Sequence, residues 1–249
     1  MEQASEILLE VCVDTAAGLC AAIAGGADRI ELCAALETGG LTPSAGLMQL
    51  AAAAGIPTRA MIRPRAGDFV YDGDERSIMM HDIDAARAAG LSGVVIGATA
   101  ADGGLDLALL AALAQHAAGL DVTLHRAVDL LPDPVESVDQ AIALGMATIL
   151  TSGGALTAAE GIGTIAAMQD RAAGRIEILA GSGIAAANVR EILRLTGVTA
   201  VHASCSRASG DADPRALAMG FASDRRSTDE ALVRALRAAA SPFPRIIPS

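Results

Sequence analysis

The sequence predicts a single-domain α/β chain, a (β/α)8 barrel of the TIM-barrel arrangement. Eight short β-rich runs alternate with longer Ala/Leu-rich runs, which implies a parallel sheet. The 249 residues match the length of about 250 usual for one such barrel and leave no room for a second full domain. No Gly-x-Gly-x-x-Gly follows the first β run, as it would in an open sheet that binds a dinucleotide.

The eight runs are ILLEVCV from Ile7, RIELC from Arg29, TRAMIR from Thr58, GVVIG from Gly93, DVTLHR from Asp121, ATILTS from Ala147, IEILAG from Ile176 and TAVHAS from Thr199. They hold β-branched and apolar residues and are short enough to be strands. Between them lie stretches such as TAAGLCAAIAGG, PSAGLMQLAAAAG and DIDAARAAG, several closed by the glycine that a helix C-cap prefers. No Pro/Ser-rich linker divides residues 1–249, and SPFPRIIPS at 241–249 reads as a tail after the last helix.

Apolar residues make up 52% of the chain, enough for burial to offset the entropy of ordering it. The net charge of −11 comes without any basic cluster, which argues against nucleic-acid and membrane-surface partners. The N-terminus MEQASEILLEV carries glutamates where a secretory signal would be basic, so the chain reads as cytoplasmic. Cys12, Cys20, Cys33 and Cys205 lack any C-x-x-C spacing and read as reduced thiols, with Cys20 and Cys205 in structural roles. All 18 basic residues are arginine. Without lysine, Schiff-base chemistry by a protein side-chain amine is excluded.

Because side chains alternate across a strand, Leu9, Val11 and Val13 face the helices while Glu10 and Cys12 point inward; Glu31 and Cys33 do the same on the second strand. Two Glu-x-Cys pairs are thus expected on adjacent strands about 4.8 Å apart, and two neighbouring thiolates suit Cu(I). Arg63, His125, Arg126, Ser152, His202 and Ser204 continue the polar series at C-terminal strand ends, the rim that carries chemistry in such barrels. Glu10, Glu31, Arg63, His125 and His202 are therefore candidate catalytic residues. The Gly-rich loops TSGG (151–154) and AGSGI (180–184) offer backbone N–H groups to an anion, which makes Gly181, Ser182, Gly183 and Ser152 candidate anion-binding residues. The long loop RPRAGDFVYDGDER after the third strand holds Phe69 and Tyr71 and reads as a lid or a subunit contact.

Taken together, LLEVCVD (8–14), GGADRIELCAAL (25–36), GGLTPS (39–44), MIRPRAGDFVY (61–71), VTLHRAVD (122–129), ILTSGG (149–154) and ILAGSGI (178–184) closely resemble the CutC family of copper-homeostasis proteins, from about Ile7 to Arg207. The resemblance implies a (β/α)8 barrel that self-associates into a homo-oligomer, with Cu(I) bound through Cys12 and Cys33. It also implies a site resembling that of an unassigned enzyme, made of Glu10, Glu31, Arg63, Arg65, His125, Asp129 and His202. Three functions remain open at this level. One is a copper-homeostasis protein that binds Cu(I) through barrel-mouth cysteines. Another is an enzyme acting on a small phosphate- or carboxylate-bearing substrate, with Arg65, Asp129, Ser152 and the 181–183 loop around the anion. The third is a non-catalytic module.

Overall fold

Residues 7–208, 213–219 and 226–241 are described by the structure, a computed structural model. The eight strands form where the alternation places them: β1 (Leu8–Val13), β2 (Arg29–Leu32), β3 (Thr58–Met61), β4 (Gly93–Ile96), β5 (Asp121–Leu124), β6 (Thr148–Thr151), β7 (Glu177–Ala180) and β8 (Ala200–Ala203). Each pairs in parallel with the next, and β8 pairs with β1 to close the barrel. Most strands end before the polar residue that terminates the corresponding β-rich run, so residues such as Arg63, His125 and Ser152 stand on the loops just beyond the sheet.

Helices α1 (Ala16–Gly25), α2 (Ala45–Ala53), α3 (Gly73–Ala89), α4 (Leu107–His116), α5 (Ser137–Ala143), α6 (Ile162–Ala172) and α7 (Val189–Thr196) follow the first seven strands. Their starts are set locally: Thr15, Ser44, Asp72 and Asp106 each cap orphan N–H groups of the first turn, and Asp72 with Glu75 forms a reciprocal capping box. The last repeat departs from the expected strand-then-helix. After β8 a short antiparallel pair, β9 (Ser206–Ala208) with β10 (Arg226–Thr228), and the five-residue helix α8 (Pro214–Ala218) precede the closing helix α9 (Glu230–Ala240). Apart from Ser241, the expected tail lies outside the described residues.

The outward faces carry the main apolar core. Leu9, Val11, Val13, Ile30 and Leu32 are sealed against helix residues such as Leu19, Met48, Ile83 and Val233. The interior of the barrel is different. At the N-terminal ends of the strands, Arg29 of β2 bonds to Glu10 of β1 and reaches Glu177 of β7 at 2.7 Å. Arg59 of β3 donates to Thr123 of β5 at 2.7 Å and Thr148 of β6 at 2.8 Å, and pairs with Asp121 at 3.1 Å. These two guanidiniums brace strands that are not neighbours. Buried ion pairs add little net stability, but removing one partner strands the other charge, so they disfavour any other arrangement of the strands.

Barrel closure is sealed outside by α9 lying on α1. A Cβ built on Gly25 would lie 2.4 Å from Val233 Cβ and 2.9 Å from the Glu230 carbonyl oxygen, so only hydrogen fits between the first and last helices. Gly25→Ala is expected to destabilise the fold by about 1–3 kcal/mol through overpacking, read as a lower urea midpoint with unchanged m-value.

Candidate functional site

Strand register decides which of the inward residues meet. Glu10 stands opposite Arg29 and His202, whereas Cys12 stands opposite Glu31. The two Glu-x-Cys pairs are therefore not side by side, as alternation alone suggests, but offset by one inward position, because closing a barrel requires the strands to stagger. Cys33 consequently lies one step beyond Cys12, fully buried against Met61 and Val95, with its Sγ 3.6 Å from Glu31 Oε2.

Cys12 instead belongs with Glu31 and His202. One ligand atom from each of these three buried residues lies within 4.8 Å of the others. His202 Nδ1 is 2.8 Å from Glu10 Oε1, which aims Nε2 towards Glu31 Oε2 at 3.8 Å. Burial opposes charge on His202, yet Cys12, Glu31 and the Glu10 hydrogen bond outweigh it and hold its pKa well above 6.5. Burial likewise works to raise Glu10, but the His202 hydrogen bond and the Arg29 charge bring it down to about 2. Glu31 goes the other way, pushed up by burial and by the Glu10 charge against the pull of His202. Burial and the Glu31 carboxylate push the Cys33 thiol well above its ordinary range, so it serves as a neutral S–H donor.

This cluster forms one wall of a pocket of about 660 Å³ at the C-terminal mouth. His125 stands on the opposite side, its ring 4.8 Å from Phe69 and set over Gly97, where a Cβ would come within 2.2 Å of the imidazole. Its Nδ1 accepts from the Ala127 N–H at 3.1 Å, so the proton sits on Nε2, a buried atom with no partner among the described residues. Burial and the nearby Arg63 charge lower its pKa to about 3. His125 is a neutral hydrogen-bond donor at physiological pH. An imidazole this hard to protonate is a poor base.

Arg63 lines the pocket, but its Nη groups donate to the carbonyls of Thr38 at 2.9 Å, Gly40 at 3.1 Å and Gly67 at 2.8 Å, and it lies 4.9 Å from the Phe69 ring centroid. It ties two mouth loops together. Arg65 lies off the pocket wall and is engaged by Glu75, Asp68 and the Val70 carbonyl. These bonds, with the Thr99 N–H to Phe69 carbonyl bond, fasten the long loop down, so Phe69 is a packed wall of the pocket in this structure. Asp129 also reaches the pocket, yet its carboxylate already accepts from Thr151, Ser152, Gly154 and Arg126. A carboxylate so placed holds the loop after β6 and would repel an anion. Ser152 is fully buried behind it.

Of the Gly-rich loop, Gly181 is buried behind the wall while Ser182 and Gly183 line it. The N–H groups of Ser182, Gly183 and Ile184 have no acceptor among the described residues. Arg126, expected at the rim, does line the pocket: strict alternation after His125 would turn it outward, but the tight turn Arg126–Leu130 brings it back. Its Nε and Nη2 hold Asp129 and Ser152 at 2.8 Å each, while Nη1 has no partner among the described residues. The mouth thus joins Cys12, Glu31 and His202 on one wall with His125, Arg126 and the 182–184 loop on another. Glu10 stays beneath as a support.

Stability should record the state of His125. Its folded pKa is about 3 against 6.5 ordinarily, so the unfolded chain takes up this proton first and stability falls as pH drops below 6.5. The contribution lost at pH 5 is about 2 kcal/mol. His125→Asn, which keeps an acceptor for Ala127, is expected to show that much less loss between pH 7 and 5 in urea titrations.

The family model described as CutC matches residues 7–207. A protein of Agrobacterium fabrum named family protein CutC is 55% identical over 93% of this chain and 93% of its own length. One of Caulobacter vibrioides with the same name is 51% identical over 94% of this chain and 99% of its own. Among solved structures, a CutC of Streptococcus agalactiae superposes with a TM-score of 0.76 at 35% identity, covering 80% of this chain and 98% of that one. Thiamine phosphate pyrophosphorylase of Pyrococcus furiosus, at 16% identity and a TM-score of 0.61, shares the fold alone. On the extent of the family match and the identity to these relatives, the chain belongs to the CutC family.

Proposed function

We propose that the mouth binds a small anionic molecule and carries out proton transfer on it, as an enzyme without a Schiff-base lysine. One observation carries this reading: Glu31 and His125 line the same pocket, and each keeps a buried polar atom, Oε1 and Nε2, with no partner among the described residues. Orphaned buried groups of opposite hydrogen-bonding character cost stability unless a ligand satisfies them. In this reading Arg126 Nη1 and the N–H groups of Ser182, Gly183 and Ile184 hold the anionic end. Glu31, raised by burial, takes a proton next to a carbonyl, and neutral His125 donates to the oxygen on which charge develops.

Copper handling is the second reading, favoured by the Streptococcus agalactiae relative, which is named for copper homeostasis, and by a Cys12 side chain on the pocket wall. Against it stands the offset of Cys33, which leaves a single thiol facing the pocket. In an anaerobic Cu(I) competition titration, tight one-to-one binding that is lost in Cys12→Ser, Cys33→Ser puts copper first; weak binding that survives the double substitution makes copper incidental.

For the enzyme reading, inorganic phosphate is expected to bind saturably, with affinity lowered tenfold or more in Arg126→Gln, as befits a charge-assisted bond of about 1.5–3 kcal/mol. Glu31→Gln should cut turnover of any phosphorylated or carboxylated substrate found by screening by roughly 10²–10⁴-fold while the barrel stays folded. Unchanged phosphate affinity in Arg126→Gln and full turnover in Glu31→Gln would sink it.

A further inference from the structure

From the geometry of the acidic wall we infer that Cys12 Sγ, His202 Nε2 and one oxygen of Glu31 form a three-ligand site for a borderline divalent cation such as Zn²⁺, with its fourth position open to the pocket. The inference concerns the same pocket as the proposed enzyme but stands on a separate observation and holds whatever the substrate is.

Donor chemistry comes first. A thiolate, an imidazole and a carboxylate are the ligand types that Zn²⁺ takes, and three protein ligands with an open fourth position is the pattern of catalytic zinc, whereas Cu(I) selects sulfur. Only one sulfur is in the set, because the stagger of β2 against β1 carries Cys33 a step away. A deprotonated Cys12 and Glu31 with neutral His202 sum to two negative charges, which balance a divalent ion.

Geometry comes second. In a tetrahedral site with metal–sulfur bonds of about 2.3 Å and metal–nitrogen bonds of about 2.0 Å, ligand atoms lie roughly 3.3–3.6 Å apart. The three atoms already lie within 4.8 Å of one another, and His202 Nε2 is 3.8 Å from Glu31 Oε2. Closing the set needs side-chain adjustments of about 1 Å. All three residues line the 660 Å³ pocket, so the remaining coordination position faces the space where a small molecule or water would sit.

The groups behind the ligands are the third argument. A ligating histidine ordinarily holds its other ring nitrogen against a carboxylate, and His202 Nδ1 meets Glu10 Oε1 at 2.8 Å. Glu10 is itself fixed by Arg29, so the imidazole is oriented from beneath by a rigid support. Cys33 Sγ, at 3.6 Å from Glu31 Oε2, supports the carboxylate ligand in the same way. Cys33 is thereby assigned to the second layer rather than to the metal.

The test is a titration of the metal-free chain with Co²⁺ under anaerobic conditions. One equivalent is expected to produce a thiolate-to-cobalt charge-transfer band and intense tetrahedral visible bands, both removed by one equivalent of Zn²⁺. Cys12→Ser should abolish the charge-transfer band, Cys33→Ser should keep it, and Glu10→Gln should weaken binding about 10–100-fold. Absence of the band, its survival in Cys12→Ser, or its equal loss in Cys33→Ser overturns the assignment. Should the variants not fold, alkylation of the wild type followed by mass spectrometry decides: Zn²⁺ should slow labelling of Cys12 at least tenfold while leaving exposed Cys20 unchanged, and an unchanged Cys12 rate overturns the site. Phosphate affinity in Arg126→Gln reports on the anion reading alone, so the two can fail separately.

Discussion

The carboxylate of Glu10 is the point where the closure of the barrel and the shape of its mouth depend on one group. It is 1% exposed, takes the Arg29 guanidinium on one side and the His202 imidazole on the other, and stands on the strand that both opens and closes the sheet. Arg29 then runs on to Glu177, so β1, β2, β7 and β8 are joined through one chain of charges. An isolated buried carboxylate would be prohibitively costly, and with two partners it becomes a fixed reference from which the His202 ring is aimed. The apolar shell outside the strands supplies most of the favourable burial; this ionic thread inside supplies the orientation.

The mouth is polarised as a result. The wall made by β1, β2 and β8 carries the Glu31 carboxylate, the His202 imidazole and the Cys12 thiol, whereas the wall made by the loops after β5 and β7 carries a guanidinium, N–H groups and a neutral imidazole donor. A ligand in this pocket meets the unpartnered Glu31 Oε1 on one side and the His125 Nε2–H on the other, which orients it before any chemistry. Arg63 lies over the Phe69 ring and bonds to Gly67 of the same loop, so both side chains are held in place at the mouth.

Much of this was legible in the chain. Alternation located all eight strands and put Glu10, Cys12, Glu31 and His202 inside, because a strand between helices must face its apolar residues outward. Stagger was not legible: register depends on how the whole barrel closes, so the partner of Cys12 turned out to be Glu31 rather than Cys33. Arg59 and Arg29 escaped notice as braces because a basic residue at the start of a strand looks the same whether it points to solvent or across a barrel. Arg65 and Ser152 were credited with ligand contacts for the mirror-image reason. They stand beside the mouth in sequence, and only the positions of Glu75 and Asp129, set by tertiary folding, reveal that their bonds are already made. Arg126 was placed at the rim, and it does line the pocket, although strict alternation after His125 would turn it outward; the tight turn 126–130 brings it back.

His125 has a consequence for how the pocket can be observed. Its ring is hemmed in by Gly97 beneath and Phe69 beside it, its tautomer is fixed by Ala127, and it stays uncharged down to about pH 3. Most histidines near a binding site give magnetic-resonance signals in which protonation and occupancy are mixed. This one holds a constant charge and orientation across the physiological range, so a displacement of its Nε2–H resonance would register only what has entered the cavity, making it a built-in gauge of occupancy for a ligand whose identity need not be known in advance.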